Sequence, residues 1–520
     1  PGTAAAPGTQ VPAGTRVPVA LPLAVDRSGL AGLAASVSDS RSPSYHRFAS
    51  MATVATTYGA GAAAVAADRR VLHADGLPLR LDPTRGALWG VVTAGQVERY
   101  FGTTLVASGG VVRPSGTPHP PPGLEGVTGV VGLDASGAPS APAAATDRGS
   151  GGSGSGAQGG STPPCPATVP TRTSLAQRFG FTRTLAAGAD GAGTTVDILS
   201  VHRFEPAVFD AYDRCTGASL AAGSIAERVV PATPPSAGGP EIALDSLILT
   251  LLAPAARLGV VRFDPSTSIA FPLLELLAGG SVPDVLDVTV TSCEPSLPPA
   301  DLALSEWLLS ALAATGTSTV AAAGDTGSSG CHPASDAPAV TYPASSAFVT
   351  AIGGASYGGG PGSPAALSAW DEPGVAGGGG GTSGAVHAPP WQGGTWRRVP
   401  DVVAYSVPGG VGSIPVCTIA TSCRWRAVGG TSLAATVLGA AAVLLAQEDG
   451  TSGAAARWGN LAGAVWRAGA ADPGVADVTA GANTTFTAAC CRAAPGYDTA
   501  TGWGLLDPDA LGPVLRPLGG

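Results

Sequence analysis

The chain has 520 residues, 44% of them hydrophobic, and a formal net charge of −9. This length is enough for about two domains with substantial cores. The chain contains no lysine, so all its basic charge is arginine, and an acidic chain without basic patches argues against a nucleic-acid partner. Its enrichment in Ala, Gly, Pro and Arg indicates coding bias in a GC-rich genome.

A change of composition divides the chain into residues 1–134 and 165–520. From about Ala135 to Pro164 the residues are mostly Ser, Gly, Ala and Pro, the composition of a flexible coil that builds no core. Flexible linkers are preferred sites of nicking, so we expect a processing cut within residues 135–164, before Cys165. The chain starts at Pro1 without a hydrophobic leader, and we expect it to begin after a removed signal peptide.

Residues 165–520 alternate between strand-like and helix-like segments. This alternation predicts an α/β fold with a mostly parallel sheet flanked by helices. The strands are predicted at Thr194–Ser200, Ala256–Phe263, Val285–Thr291 and around Val320, and the helices at Glu241–Leu252 and Leu302–Ala314.

Two acids stand at positions i and i+4 of the first predicted helix. This spacing places the carboxyl groups of Glu241 and Asp245 on one helix face, among Ile, Leu and Ala. Burial and like charge both disfavour ionising such a pair, so that one proton tends to be shared between the two carboxyls. The pattern predicts a functional pair, and the alternative is a solvated acidic edge of an amphipathic helix.

A third acid, Asp325, follows the apolar strand around Val320 in a glycine-rich turn. An open α/β sheet presents functional side chains in this way, at the carboxyl ends of its strands. Taken alone, Asp325 is equally compatible with an aspartate that stabilises the turn.

A serine lies where a glycine-rich turn runs directly into a long apolar helix. Gly429 and Gly430 allow a tight turn, and the hydroxyl of Ser432 is then next to unpaired N–H groups and the positive end of the helix dipole. The helix Leu433–Leu445 is apolar on every side, which predicts burial, and at about 13 residues it is too short to span a bilayer. The pattern predicts a serine nucleophile; a glycine-capped core helix is the alternative.

All eight cysteines lie at or after Cys165. An even number within one domain suggests disulfides and an oxidising compartment, and the absence of Cys-x-x-Cys pairs argues against zinc. Cys417 and Cys423 are close enough to close a small loop, and a Cys293–Cys331 bond would tie strand ends near Asp325. Other pairings are not excluded.

A nucleophilic serine needs a base. None of the six histidines begins a helix with small residues behind it, so the histidine base of subtilisin-like enzymes is absent. In their order and context, Glu241, Asp245, Asp325 and Ser432 resemble the sedolisin family of serine-carboxyl peptidases. That family has a subtilisin-like fold in which glutamate replaces histidine.

The resemblance assigns a role to each of the four residues. Ser432 is the expected nucleophile, Glu241 its general base and acid, Asp245 the partner that orients Glu241 and holds the shared proton, and Asp325 the oxyanion stabiliser. A protonated Asp325 donates a hydrogen bond to the oxyanion, whereas an ionised one repels it. We therefore expect a low pH optimum.

The C-terminal segments also resemble the family, at the loop that holds one structural calcium ion. Mixed oxygen ligands suit calcium, a hard cation. The first glycine of the family's loop is alanine here, and two turn aspartates are the alternative. The ligands implied are the carboxylates of Asp477 and Asp498 and the backbone carbonyls of Val478, Ala494 and Gly496.

Residues 1–134 resemble the α+β activation propeptide of the same family. Its short docking helices are expected at Ser42–Phe48, Ala52–Gly59 and Gln96–Thr103. The resemblance implies that this propeptide helps folding, covers the active-site cleft and inhibits the enzyme until acid triggers cleavage. The alternative is an unrelated α+β module.

Together these features predict a secreted, monomeric, acid-active endopeptidase made as a zymogen by a GC-rich bacterium, acting on peptides or unfolded proteins without a membrane. Two departures stand out: Thr291–Glu294 replaces a Ser-Trp-Gly that many sedolisins carry, and Thr341 stands where some members place a substrate-binding acid. A tripeptidyl-peptidase of the same family and a catalytically degenerate binding or scaffold protein are the alternatives.

Overall fold

The computed structural model describes residues 8–108, 111–133, 164–220, 225–280, 282–357, 367–420, 422–449, 457–471 and 475–515. The predicted linker, apart from Pro164, lies outside the described residues, and so does the expected processing cut.

Residues 8–133 form a unit with its own hydrophobic cluster, which includes Val19, Leu21, Val97 and Phe101. Two antiparallel sheets, of order β2-β4-β3 and β1-β5-β6, pack with four helices. The elements are β1 (Thr9–Gln10), β2 (Arg16–Pro22), α1 (Arg27–Ser38), α2 (Met51–Thr57), α3 (Ala62–Ala74), β3 (Arg80–Leu81), β4 (Ala87–Thr93), α4 (Ala94–Phe101), β5 (Leu105–Ser108) and β6 (Val111–Pro114).

Two of the three short helices expected in this unit are confirmed, as α2 and α4. The third expectation, a helix at Ser42–Phe48, is wrong, because these residues form successive turns. Pro43 has no N–H to give to a helix, and His46 takes the left-handed backbone conformation with φ of 59°. The turns bring Tyr45 and His46 against the larger domain.

The larger domain contains the remaining elements. Its helices are α5 (Arg172–Phe179), α6 (Thr182–Ala186), α7 (Ala207–Thr216), α8 (Pro240–Leu252), α9 (Ala270–Ala278), α10 (Pro299–Ala314), α11 (Thr431–Asp449), α12 (Ala462–Ala471) and α13 (Pro508–Leu515). Its strands are β7 (Thr195–Ser200), β8 (Ala226–Val229), β9 (Arg257–Arg262), β10 (Val285–Val288), β11 (Ser292–Cys293), β12 (Ser318–Ala322), β13 (Thr341–Tyr342), β14 (Val349–Tyr357), β15 (Leu367–Ala369), β16 (Asp371–Glu372), β17 (Ala376–Gly377), β18 (Gly381–His387), β19 (Trp396–Val399), β20 (Val402–Tyr405), β21 (Ser413–Ile419), β22 (Ser422–Ala427), β23 (Val475–Ala476) and β24 (Leu505–Leu506).

In the described part of the chain, ten strands form one sheet of order β23-β24-β20-β14-β12-β10-β7-β9-β8, with β15 paired to β14. Its pairings are parallel except for those of β15 with β14 and of β23 with β24. The predicted mostly parallel sheet is therefore confirmed, and the four predicted strands are β7, β9, β10 and β12.

The two faces of the sheet carry different helices, and strand alternation assigns residues to each face. Val196, Ile198 and Val285 point into a cluster with α8 and α11. Leu199 and Leu286 point into a second cluster with α9 and α10. Because Asp287 is two residues from Val285 on β10, it lies on the face of α8 and α11.

The N-terminal unit packs on the face of α9 and α10. Leu30 of α1 and Trp89 of β4 belong to the same hydrophobic cluster as Phe271 and Trp307 of the larger domain. The Trp307 indole Nε1–H donates to Thr84 Oγ1 at 2.7 Å. The two domains therefore share one apolar core on this face.

Polar contacts extend this interface to α12 and α13. The Arg467 guanidinium donates to Asp39 Oδ1 at 3.2 Å, and the Asn460 N–H donates to Ser38 Oγ at 2.9 Å. The Tyr45 hydroxyl donates to the carbonyl of Leu515 at 2.5 Å.

Helix α11 is longer than the sequence analysis predicts, with 19 residues instead of about 13. By length and composition alone it is the one helix among the described residues that would cross a membrane, but 89% of its apolar window is buried inside the protein. The helix is the centre of the core beneath the sheet, as its all-round apolar surface predicts.

The eight cysteines form four disulfides, Cys165–Cys215, Cys293–Cys331, Cys417–Cys423 and Cys490–Cys491. The two pairings suggested from the sequence are thus present. The Cys293–Cys331 bond ties β11 to the loop that follows Asp325.

Candidate active site

The two acids of α8 are both buried. Pro240 occupies the first turn, where its missing N–H costs nothing, and the helix starts after Gly239. Glu241 is 5% exposed and Asp245 is 0% exposed. The alternative of a solvated acidic helix edge is therefore excluded, and the spacing of four residues places both carboxyls towards α11 and β10.

The start of α11 presents Ser432 at a turn that needs glycine. Gly430 has φ of 95°, and a Cβ at this position would lie 2.3 Å from Asp325 Oδ2. Only a glycine lets the backbone pass so close to that carboxyl. Ser432 is the second residue of α11 and is 1% exposed.

Asp325 follows the carboxyl end of β12 and holds the start of α11. Its Oδ1 accepts hydrogen bonds from the N–H and the hydroxyl of Thr431, each at 2.8 Å. The Thr431 hydroxyl in turn accepts the N–H of Gly324 at 3.1 Å. Burial raises the pKa of Asp325 to about 6, while the two hydrogen bonds from Thr431 act in the opposite direction.

Ser432 and Glu241 are neighbours. Burial raises the pKa of Glu241 strongly, the nearby charge of Asp325 adds to this, and hydrogen bonding by the Ser432 hydroxyl lowers it. Neither Ser432 Oγ nor Glu241 Oε1 has a hydrogen bond of ordinary geometry to another described residue. Catalytic hydrogen bonds are often long or poorly aligned before substrate binds, so this arrangement suits a nucleophile and its base.

Asp245 is joined to its surroundings by two threonines. The Thr289 hydroxyl lies 2.9 Å from Asp245 Oδ2, and the Thr436 hydroxyl lies 3.0 Å from Asp245 Oδ1. Burial raises the pKa of Asp245 well above its usual value, and the charges of Glu241 and Asp287 raise it further. Because Asp245 is fully buried and both Glu241 and Asp287 raise its pKa, it is the member of the pair that keeps its proton.

The structure adds a fourth carboxyl that the sequence analysis did not select. Asp287 of β10 is 0% exposed, and its Oδ2 lies 3.0 Å from the same Thr436 hydroxyl. Burial raises its pKa to about 7. The sequence signal that could have pointed to Asp287 was an acid within the otherwise apolar strand Val285–Val288. No sequence pattern singled out Thr289 or Thr436.

No described histidine takes the place of Glu241. His202 packs against the start of α8, where a Cβ on Gly239 would lie 2.5 Å from its ring.

The structure shows the contacts made at the two places where the sequence departs from the sedolisin pattern, Thr291–Glu294 and Thr341. Ser292 and Cys293 form β11, which pairs with β13, and Glu294 accepts hydrogen bonds from Ser383 and Gly384. Thr341 donates its hydroxyl to the Ala323 carbonyl at 2.9 Å and thereby braces the turn before Asp325.

The predicted calcium-binding segments lie together. The Gly496 N–H donates to Asp477 Oδ2 at 2.8 Å, and the Ala494 N–H donates to Asp498 Oδ2 at 2.9 Å. Asp498 Oδ1 also accepts the N–H groups of Ala500 and Thr501. Two carboxylates and adjacent backbone carbonyls in one loop pair are a donor set that fits calcium.

These features define a subtilisin-like fold, in which a buried helix under a parallel sheet presents a serine. Among solved structures, a sedolisin (serine-carboxyl proteinase) from Pseudomonas, complexed with two molecules of pseudo-iodotyrostatin, is 24% identical with a TM-score of 0.55, over 68% of this chain and 100% of that chain. This likeness shows the fold.

Fervidolysin from Fervidobacterium pennivorans, a keratinolytic enzyme related to subtilisin, is 12% identical with a TM-score of 0.45 over 97% of this chain and 63% of that one. No protein-family model matches the sequence, and no curated relative matches it.

Proposed function

We propose that the protein is a serine peptidase of the serine-carboxyl type. The observation that carries this proposal is the convergence of Ser432, Glu241, Asp245 and Asp325 from three separate segments of the chain in one buried cluster. Burying these carboxyls costs stability, so their assembly around one serine calls for a chemical purpose.

The chemistry follows from the positions of the side chains. Ser432 Oγ attacks the peptide carbonyl carbon while its proton passes to Glu241. Protonated Asp325 donates a hydrogen bond to the oxyanion that forms. Glu241 then gives the proton to the leaving amine, the C–N bond breaks and an acyl-enzyme remains. Water, activated by Glu241, hydrolyses the acyl-enzyme and restores the Ser432 hydroxyl.

Asp325 makes this chemistry acid-dependent. With a pKa raised to about 6, its carboxyl is a hydrogen-bond donor below that pH and a repelling anion above it. We therefore propose an acid-active enzyme. Burial also raises the pKa of Glu241, so that in acid its ionised fraction accepts the proton of Ser432 while Asp245 keeps its own proton.

We further propose that the enzyme is a secreted endopeptidase made as a zymogen. The N-terminal unit that shares a core with α9 and α10 is then its activation domain, and peptides or unfolded proteins are its substrates. We also propose one structural calcium ion at Asp477 and Asp498. An oxidising compartment agrees with the four disulfides.

The test is to incubate the purified full chain at about pH 4 and at about pH 7, beside Ser432→Ala, and to follow loss of the N-terminal unit and cleavage of an unfolded protein. We expect the wild type to mature and to cleave in acid alone and Ser432→Ala to do neither. Ser422→Ala, at an exposed serine of β22, is the matched control and should behave as wild type.

The alternatives predict different results. A tripeptidyl-peptidase would release tripeptides from free N-termini and leave blocked peptides intact. If wild type and Ser432→Ala both stay intact and inert at either pH, the proposal is wrong, and a binding or scaffold protein becomes the better explanation.

A further inference from the structure

The carboxyl cluster contains more acids than the proposed reaction uses. The Thr289 hydroxyl hydrogen-bonds Asp245 Oδ2, and the Thr436 hydroxyl lies between Asp245 Oδ1 and Asp287 Oδ2. The titratable groups that face Asp287 are Asp245 and Glu241 of α8. From the other elements it faces Thr436 of α11, and its register neighbours Ile198 and Val320 are apolar.

Counting hydrogens constrains the protonation of Asp245 and Asp287. The Thr436 hydroxyl lies 3.0 Å from Asp245 Oδ1 and 3.0 Å from Asp287 Oδ2, but it has one hydrogen to donate. If it donates to one carboxyl, the other carboxyl must donate to it and must therefore be protonated. The Thr289 hydroxyl lies 2.9 Å from the other oxygen of Asp245, Oδ2.

The bridging Thr436 hydroxyl thus requires a proton on Asp245 or on Asp287. A protonated Asp245 that donates from Oδ2 to Thr289 leaves its Oδ1 free to accept from Thr436. Asp287 must then be the donor to Thr436, so that Asp287 donates to Thr436, Thr436 to Asp245 and Asp245 to Thr289. In this arrangement both aspartates are neutral, and neither places a second negative charge beside Glu241.

The surroundings of Asp287 favour its neutral form. It is fully buried, it forms no ion pair among the described residues, and its Oδ1 has no hydrogen-bond partner there. An ionised carboxylate in such a place is very costly, whereas a neutral acid that donates through Oδ2 is not. The direction of its pKa shift agrees.

We propose that Asp287 is a positioning residue of the site: as a neutral acid it donates to Thr436 and so fixes the direction of the hydrogen bonds that keep Asp245 neutral beside Glu241. This inference rests on the proposed peptidase function for its kinetic consequence. It goes beyond that function by assigning a role to an acid that touches neither Ser432 nor the substrate.

Kinetic measurements on three variants test the proposal. In Asp287→Asn the amide N–H donates to Thr436 at every pH, so we expect kcat within about twofold of wild type. In Asp287→Leu no donor remains, and we expect kcat to fall about tenfold with KM unchanged, the kinetic effect of losing roughly 1.4 kcal/mol. Thr436→Val should give the same loss, and the double variant no further one.

Measurements of stability distinguish a positioning role of Asp287 from a packing role. Leucine has the branched skeleton of aspartate without its polar oxygens, and it removes a carboxyl whose burial is costly, so Asp287→Leu should unfold near the wild-type urea midpoint while its kcat falls. Asp197→Asn, on the neighbouring strand β7 and paired with Arg228, is the matched control with unchanged kcat. A normal kcat in Asp287→Leu, or a tenfold loss in Asp287→Asn, would overturn the proposal.

A spectroscopic readout does not depend on activity. At about pH 6 exposed carboxyls are ionised, whereas Asp287, with a pKa raised to about 7, is mostly protonated, so the infrared carbonyl band of protonated carboxyls reports buried acids. In the Ser432→Ala background, Asp287→Asn should remove intensity equal to one carboxyl. If the wild type is inert but this band is lost, the peptidase proposal fails and the protonation of Asp287 stands. An unchanged band refutes the neutral Asp287.

Discussion

Thr431 donates two hydrogen bonds to one oxygen of Asp325, from its N–H and from its hydroxyl, each at 2.8 Å. The carboxyl end of β12 and the start of α11 are thereby held together one residue before Ser432. The same two bonds favour the ionised form of Asp325, whereas burial favours the neutral form. The balance between them sets the pH at which Asp325 loses its proton.

The alkaline fall of kcat should respond to both residues. Asp325→Asn keeps a donor at every pH, so its kcat should not fall as pH rises through about 6. Thr431→Val removes a bond to the ionised carboxylate, so the pKa of Asp325 rises and the fall moves to higher pH. Asp325→Ala should lose about 10²- to 10³-fold in kcat. Profiles of kcat against pH that superimpose for wild type and Asp325→Asn would exclude Asp325 as the limiting group.

Docking of the N-terminal unit should depend on Gly86. A Cβ there would lie 2.0 Å from Trp307 Nε1, so Gly86→Ala must displace either the buried indole or the loop. We expect a loss of about 1–3 kcal/mol in the free energy of unfolding, measured by urea titration of the Ser432→Ala chain. Gly32→Ala on α1 meets no atom within 4 Å and should stabilise by up to about 1 kcal/mol. Equal stability of the two variants would contradict this interface.

Acid should weaken the same interface through His46. Its ring lies 3.8 Å from that of Tyr45 and 5.4 Å from that of Trp458, and its buried Nε2 has no partner among the described residues. Burial lowers the pKa of His46 from 6.5, although the charge of Asp449 partly opposes this. The folded state therefore favours neutral His46, and its stabilising contribution is complete above pH 6.5 and is lost as pH falls below that value.

His46→Phe removes this titration. In the Ser432→Ala background, the urea midpoint should drop less between about pH 7 and about pH 5 than it does with His46 present. His73→Phe, at an exposed position of α3, is the control and should keep the full drop. If His46→Phe shows the same drop as its parent, other groups drive the acid response.

Calcium should stabilise the C-terminal loops. We expect a chelator to lower the Tm of the full chain and added Ca²⁺ to restore it, because an ion that binds the folded state alone raises stability. Asp477→Asn should abolish this dependence while it keeps an acceptor for the Gly496 N–H. If neither the chelator nor added Ca²⁺ changes the Tm, Asp477 and Asp498 are turn aspartates and not calcium ligands.

The sequence alone was sufficient to predict those candidate site residues that stand in an unusual local pattern. Glu241 and Asp245 stand out because acids four residues apart in an apolar helix are unusual, and Ser432 stands out because Gly429 and Gly430 precede a buried helix. Asp287 gives a weaker signal, a single acid in an apolar strand. Alternation along β10 defines the sheet face on which Asp287 lies, but which helix covers that face depends on the strand order and the crossover connections.

Two predicted helices differ from the structure, one for a local reason and one for a non-local reason. Helix α11 continues beyond Leu445 through Gln447, Glu448 and Asp449, since nothing breaks it before Gly450 and Gln and Glu favour helices. The segment Ser42–Phe48 shows the opposite error, because its turn is fixed by contacts of Tyr45 and His46 with the larger domain, which no local pattern contains.

The core on the α9 and α10 face belongs to two domains that the proposed maturation would separate. Once the N-terminal unit leaves, Phe271 and Trp307 lose the apolar partners that cover them, and the remaining chain has less buried surface than the one that folded. The mature protein would then persist because its unfolding is slow, and a denatured sample should fail to regain its structure unless residues 8–133 are supplied again.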